Sequence, residues 1–320
     1  NYLMMIANVF LLLTRSLASA HRIAEVLDEQ VELASPENGL EQVADGSIDF
    51  QDVSFKYHKD AREFALSGVN LHIPSGQTVG ILGGTGASKT TLVQLIPRLY
   101  DVSEGAVYVG GRDVRHYEIH SLRDAVSIIL QKNVLFFGTV RDNLKWGNPE
   151  ATDEEIWEAC RAACADEFLN RMSDGLDTML EQGAGNLSGG QKQRLCIARA
   201  LVGKAKILIF DDSTSAVDTA TEKKIREALA KRKDVTKIII AQRITSVINT
   251  DQIVILEDGK VHCTGTHKEL LAHDPIYQEI YRSQMSGAQE NEMEQSTAKA
   301  ERGSVQVKGG ITDGSENLQR

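Results

Sequence analysis

Between Gly83 and Thr91 the chain reads GGTGASKTT, behind the short apolar run Thr78 to Leu82 and ahead of the apolar Leu92, Val93 and Leu95. Strand, small-residue loop and helix in that order are the setting of a phosphate-binding loop. Gly83, Gly84, Thr85, Gly86 and Ala87 would turn backbone N–H groups toward phosphate oxygens. Lys89 would reach the terminal phosphates, and the hydroxyl of Thr90, followed by Thr91, would hold Mg²⁺. Ser88 stands where the last glycine of such a loop is expected. It keeps the N–H but restricts the backbone, so binding is expected to persist with altered tightness.

Four further positions have the chemistry to work on a bound phosphate. KILIFDD ends an apolar strand in two carboxylates, and ligands collect at the carboxyl ends of parallel strands. Asp211 is therefore expected to take Mg²⁺ through its water shell and Asp212 to face an attacking water. Gln131 follows another buried-looking strand and could touch both metal and water, although a glutamine there is often simple polar punctuation. Gln242 follows the apolar KIIIA. Tyr57, at the end of the alternating run from Ile48, could stack on a purine or be an edge-strand tyrosine; the segment by itself favours the latter.

A second phosphate-directed feature is the run NLSGGQKQRLCIARA from Asn186 to Ala200. Ser188 sits as a helix cap before Leu195, Ile197, Ala198 and Leu201 at helical spacing. Gly189, Gly190 and Gln191 then leave bare N–H groups at the helix N-terminus, where the dipole favours an anion. An ordinary capped helix fits these residues equally well.

The elements that must hold these residues follow from periodicity. Tyr2 to Leu13 is apolar but shorter than the roughly 20 residues that span a bilayer, and it lacks the features of a signal peptide. An amphipathic pattern from Thr14 to Gln30, with Leu17, Ala20, Ile23, Ala24 and Leu27 on one face, continues it. Together they predict one helix leaving a membrane for water, and the absence of an initial Met favours a missing earlier part. Leu33 to Gly46 reads as a linker. Gly110-Gly111 and Asp258-Gly259 mark hairpins. Thr139 to Gly185 turns helical, with Thr152 and Glu155 as a capping box. Leu270 to Tyr281 predicts a closing helix, and the polar Ser286 to Arg320 predicts a disordered tail.

Composition narrows the partners. With 320 residues and 42% hydrophobic content the chain can bury a large core, and its formal charge of −10 argues against a nucleic-acid partner. Cys160, Cys164, Cys196 and Cys263 show no zinc-type spacing and read as buried reduced thiols on a cytosolic face.

From about Ile48 to Tyr281 the sequence resembles the nucleotide-binding domain of ATP-binding cassette (ABC) transporters, on GGTGASKT, the loop at Gln131, LSGGQ, ILIFDD, the loop Ser215 to Asp218 and Tyr57. RSLASAHRIAEVLD resembles the end of the last membrane helix of exporters whose membrane domain precedes the cassette. The resemblance implies an α/β P-loop NTPase of ABC type: a mixed sheet core, an antiparallel β subdomain and a helical subdomain. It also implies ATP and Mg²⁺ as cofactors, an inner (plasma) membrane location with the cassette cytoplasmic, and head-to-tail pairing. In that pairing Ser188, Gly189, Gly190 and Gln191 serve the partner's nucleotide. The expected divisions are 1–32 for the membrane helix end and its extension, 33–46 linker, 47–283 cassette with a helical part at about 132–186, and 284–320 tail.

Two departures refine the reading. The family usually has Glu where Asp212 stands and a switch histidine where Gln242 stands. A carboxylate one methylene shorter falls short by about 1 Å, an error worth on the order of a hundredfold in rate, and glutamine does not become a cation near neutral pH. Both losses fall on this chain's own half-site while its LSGGQ is intact. The expectation is the degenerate subunit of a heterodimeric exporter, with a partner half-transporter carrying Glu, His and an altered signature. A cassette that closes without hydrolysis is the alternative. A DNA-directed cassette lacks the long heptads it would need, and a generic P-loop kinase has no place for LSGGQ.

Overall fold

The computed structural model describes residues 1–29, 33–212 and 217–285. Helix α1 (Tyr2–Asp28) is continuous through the apolar and amphipathic stretches, and none of its residues is buried. At 1.5 Å per residue it is about 40 Å long. By length and composition the whole helix suffices to cross a membrane, where the opening run was expected to be too short.

The segment 33–46 lies along the following domain rather than standing off it. Leu40 bridges Tyr117, Val43 is buried, and the Gly46 carbonyl accepts from Thr236 at 2.7 Å. Strands β1 (Ile48–Phe55) and β2 (Leu66–Ile73) follow, then β3 (Thr78–Leu82), helix α2 (Lys89–Gln94), β4 (Glu104–Val109) and β5 (Arg112–Asp113). β1 stops two residues before Tyr57. An antiparallel sheet in the order β2-β1-β4-β5 results, its Ile, Val, Leu and Phe side chains facing inward.

After α3 (Ile119–Asp124) and β6 (Val126–Ile129) the chain makes the short β7 (Gly138–Thr139) and helices α4 (Val140–Lys145), α5 (Asp153–Ala162) and α6 (Asp166–Leu169), then β8 (Met179–Leu180), which pairs with β7. Thr152 and Glu155 cap α5 reciprocally, as their spacing predicts. These helices share a core with α7 (Gly189–Val202), where Leu195, Ile197 and Ala198 are fully buried. Burying Leu195 and Ile197 is worth about 1.5–3 kcal/mol each, so α7 is fixed by the helices before it.

The chain ends in β9 (Ile207–Asp211), α8 (Thr219–Ala230), β10 (Thr236–Ile240), β11 (Gln252–Glu257), β12 (Lys260–Gly265), α9 (His267–His273) and a last helix, α10, over 275–285. The second sheet has the order β12-β11-β3-β10-β9-β6, parallel from β11 to β6 with β12 antiparallel at the edge. Asp258 and Gly259 both have positive φ, 46° and 70°, as the tight β11–β12 turn requires. The single closing helix expected over Leu270 to Tyr281 is two helices. Asp274 is extended, with φ −105°, and Pro275, which has no N–H to continue α9, begins α10. The Ser286–Arg320 tail and the start of the Ser215–Asp218 loop lie outside the described residues.

Candidate functional site

Parallel pairing puts four chain turns side by side at one edge of the six-stranded sheet. β3 runs into the phosphate loop, β9 into Asp211 and Asp212, β10 into Gln242 and β6 into Gln131. In register, Ile240 lies opposite Asp211 and Ile129 opposite Phe210. The carboxylates and the glutamine after β10 are thus neighbours although 30 residues separate them in sequence.

The phosphate loop must leave β3 tightly. A Cβ on Gly83 would stand 2.3 Å from the Leu256 carbonyl oxygen, so only glycine fits there. Gly84 and Gly86 instead face open space, the latter with φ 87°. Ser88 holds the left-handed conformation, φ 65° and ψ 27°, at the cap of α2. The glycine-type geometry is kept at the strain cost of a side chain. Lys89 Nζ donates to the loop's own carbonyls, Gly83 at 2.8 Å and Gly84 at 2.7 Å. Burial lowers its pKa, opposed by the charges of Asp211 and Asp212.

The Thr90 hydroxyl donates to Asp211 Oδ2 at 2.9 Å. Burial raises the Asp211 carboxyl above its ordinary value, the Thr90 bond and Lys89 opposing and Asp212 reinforcing the shift. Asp212 has φ 46°, its N–H donates to the Ile240 carbonyl at 3.0 Å, and its Oδ2 accepts from Gln242 Nε2 at 3.0 Å. Tyr57 reaches the same end of the molecule. Its hydroxyl lies 2.8 Å from Thr91 Oγ1, and its ring packs edge-on against Phe55 and Tyr100, leaving the residue about half exposed. Gln131 is exposed and, among the described residues, makes no hydrogen bond to Thr90 or Asp211.

The donor set fits a magnesium nucleotide. A hydroxyl and a carboxylate converge as hard oxygen ligands at Thr90 and Asp211, an ammonium stands beside them, and the open faces of Gly84 and Gly86 leave room for phosphate oxygens.

The signature turn stands apart, exposed at the start of α7. Ser188 Oγ accepts from Gln191 N–H at 3.3 Å and Gln191 Oε1 from Ser188 N–H at 2.9 Å, a capping box with Gly189 and Gly190 in the first turn. Gln284, on α10, also reaches this end of the sheet. Its Nε2 donates to the Gln242 carbonyl and its Oε1 accepts from Ile244 N–H, both at 2.8 Å. Nothing local in the sequence marks it, because it lies beyond the expected end of the closing helix.

Residues 66–215 match the family model described as ABC transporter. The chain contains an ABC transporter nucleotide-binding domain. It is 42% identical over 276 residues to the Bacillus subtilis protein called uncharacterized ABC transporter ATP-binding protein YfiB, covering 86% of this chain and 48% of that one. It is 40% identical over 272 residues to the ATP-dependent lipid A-core flippase of Desulfotalea psychrophila, covering 84% and 47%. A solved bacterial Atm1-family ABC exporter with ATP bound superposes with a TM-score of 0.79 at 34% identity, over 85% of this chain and 47% of that one. The chain therefore spans about half the length of the relatives it matches. The mixed α/β cassette fold is the one the motifs implied, and such a domain binds ATP.

Proposed function

We propose that this chain is the ATP-binding subunit of an ABC exporter in the inner membrane, with its cassette in the cytoplasm, and that its own site hydrolyses ATP poorly. The bond from Gln242 to Asp212 carries this reading. It occupies one oxygen of the carboxylate in the general-base position with the amide that stands in for a histidine.

In this reading Lys89 and the N–H groups from Gly83 to Ser88 bind the phosphates, and Thr90, Asp211 and Gln131 hold Mg²⁺. Tyr57 stacks on the base. Bound Mg²⁺ supplies charge neutralisation on the phosphate oxygens. Asp212 holds a water too far back for efficient proton removal, and Gln242 orients without supplying positive charge. Ser188 to Gln191 complete the site of a second half-transporter, whose own Glu and His do the hydrolysis.

Coupling to the membrane would pass through the groove beside Gln131. A cavity of about 330 Å³ there is lined by Ile128, Leu130, Val134, Phe136 and Trp146, the two aromatic rings stacked 4.6 Å apart. It suits the cytoplasmic end of a membrane helix.

Steady-state ATP turnover of the complete transporter tests the proposal. Ser188→Arg should abolish turnover, while Asp212→Glu with Gln242→His should change the total only modestly. Turnover that is absent in the wild type and created by the paired change would instead support a cassette that closes without hydrolysis, a reading also compatible with the Gln242–Asp212 bond.

A further inference from the structure

The edge strand β12 does not alternate regularly. Cys263 pairs with Ile255 and Val261 with the next residue, Leu256, so His262 is an extra residue in a bulge. In a regular strand consecutive side chains point to opposite faces, but a bulge re-aims them. Here His262 and Cys263 reach the same carboxylate. Nε2 of His262 lies 2.9 Å from Asp274 Oδ2, and the Cys263 sulfur stands beside the same pair. One ligand atom from each residue lies within 4.8 Å of the other two.

Asp274 is only 8% exposed, and its other oxygen accepts from Tyr277 N–H at 2.7 Å at the start of α10. An oriented carboxylate thus faces an imidazole and a thiol at the solvent edge of the sheet. We propose that His262, Cys263 and Asp274 form a binding site for one Zn²⁺ ion, with water as fourth ligand.

The ligand chemistry selects this ion. One sulfur, one imidazole nitrogen and one carboxylate oxygen suit zinc, whose ligand bonds of about 2.0–2.3 Å place tetrahedral neighbours roughly 3.3–3.8 Å apart. A contraction of about 1 Å closes the set. Hard cations such as Mg²⁺ and Ca²⁺ prefer oxygen alone. Tyr277 N–H would be the outer-shell bond that orients the carboxylate. Zinc would bind Cys263 as the thiolate, its proton passing to solvent. The ligands join β12 to the residue that precedes α10, the helix whose Gln284 grips Gln242 and Ile244.

The test is titration of the intact, metal-stripped chain in detergent with Zn²⁺ alone against a chelating indicator, and with Co²⁺ as a spectroscopic probe. One equivalent of Zn²⁺ per chain is expected. Co²⁺ should give tetrahedral visible bands and an intense near-ultraviolet thiolate-to-cobalt absorption. Cys263→Ser should remove that absorption and His262→Gln should weaken binding at least tenfold, while Cys196→Ser leaves both unchanged. Circular dichroism establishes that each variant is folded. His262 is exposed, so His262→Gln carries the test even if Cys263→Ser does not fold. Failure of the wild type to bind a stoichiometric ion, or binding that survives both ligand substitutions, would overturn the proposal. Neither outcome bears on ATP turnover, so the test stands apart from the function proposed above.

Discussion

Gln242 Nε2 donates to Asp212 Oδ2 across 3.0 Å, joining the residues expected to weaken this chain's own site. Because they touch, their restorations should not add. In a transporter whose partner site has been disabled, Asp212→Glu alone should raise ATP turnover less than tenfold, since the Gln242 amide still holds the carboxylate. Asp212→Glu with Gln242→His should raise it by about a hundredfold. Single-site turnover measurements check this, and additive effects would show that the contact has no catalytic consequence.

Ser88 occupies a left-handed conformation that costs a side chain about 1–2 kcal/mol. Glycine gains unfolded-state entropy but removes that strain, so Ser88→Gly should leave stability unchanged or raise it by up to about 1 kcal/mol. It should also tighten ATP binding. Ser88→Val, β-branched at positive φ, should destabilise by about 2 kcal/mol. Denaturant titration and nucleotide-binding isotherms of the three proteins decide the matter.

Glu118 caps α3, and the Ser121 N–H above all lowers its pKa to about 2 from an ordinary 4.5. A depressed folded pKa contributes stability that is fully present above the unfolded value. That contribution is lost as pH falls toward the folded one. Glu118→Gln should therefore lower the melting temperature at pH 7, and the gap from wild type should close between about pH 4.5 and pH 2. A gap independent of pH would assign the effect to packing.

Thr236 is fully buried on β10, where its hydroxyl accepts from Gly76 N–H at 2.9 Å and donates to Gly46 O at 2.7 Å. Thr236→Val keeps the shape and strands both backbone groups. Leaving such groups unpaired should cost about 2 kcal/mol, read as a lower denaturation midpoint. An unchanged midpoint would mean that water replaces the hydroxyl.

Features that rest on neighbours in sequence were legible before the fold. The phosphate loop declares itself in nine residues, Thr152 and Glu155 announce the start of α5, and Asp258-Gly259 forces its turn. The Gln242–Asp212 bond was not legible, because it depends on the register of β9 against β10 rather than on either segment. Asp274 falls inside the helix that the sequence predicts over Leu270 to Tyr281, since apolar spacing runs on through Tyr277 and Tyr281 across the break at Pro275. The bulge at His262 is set by pairing with β11. The carbonyls that hold Lys89 become visible only when the loop closes around it.

Helix α1 buries none of its 27 residues. The heat capacity released on unfolding scales with apolar surface that becomes wet, and α1 is already bare against the rest of the chain. A calorimeter following the melting of the cassette in detergent should therefore record the same heat capacity step with residues 1–28 present or cut away. The seam after Asp28 is a place where the chain can be divided without the core registering the loss.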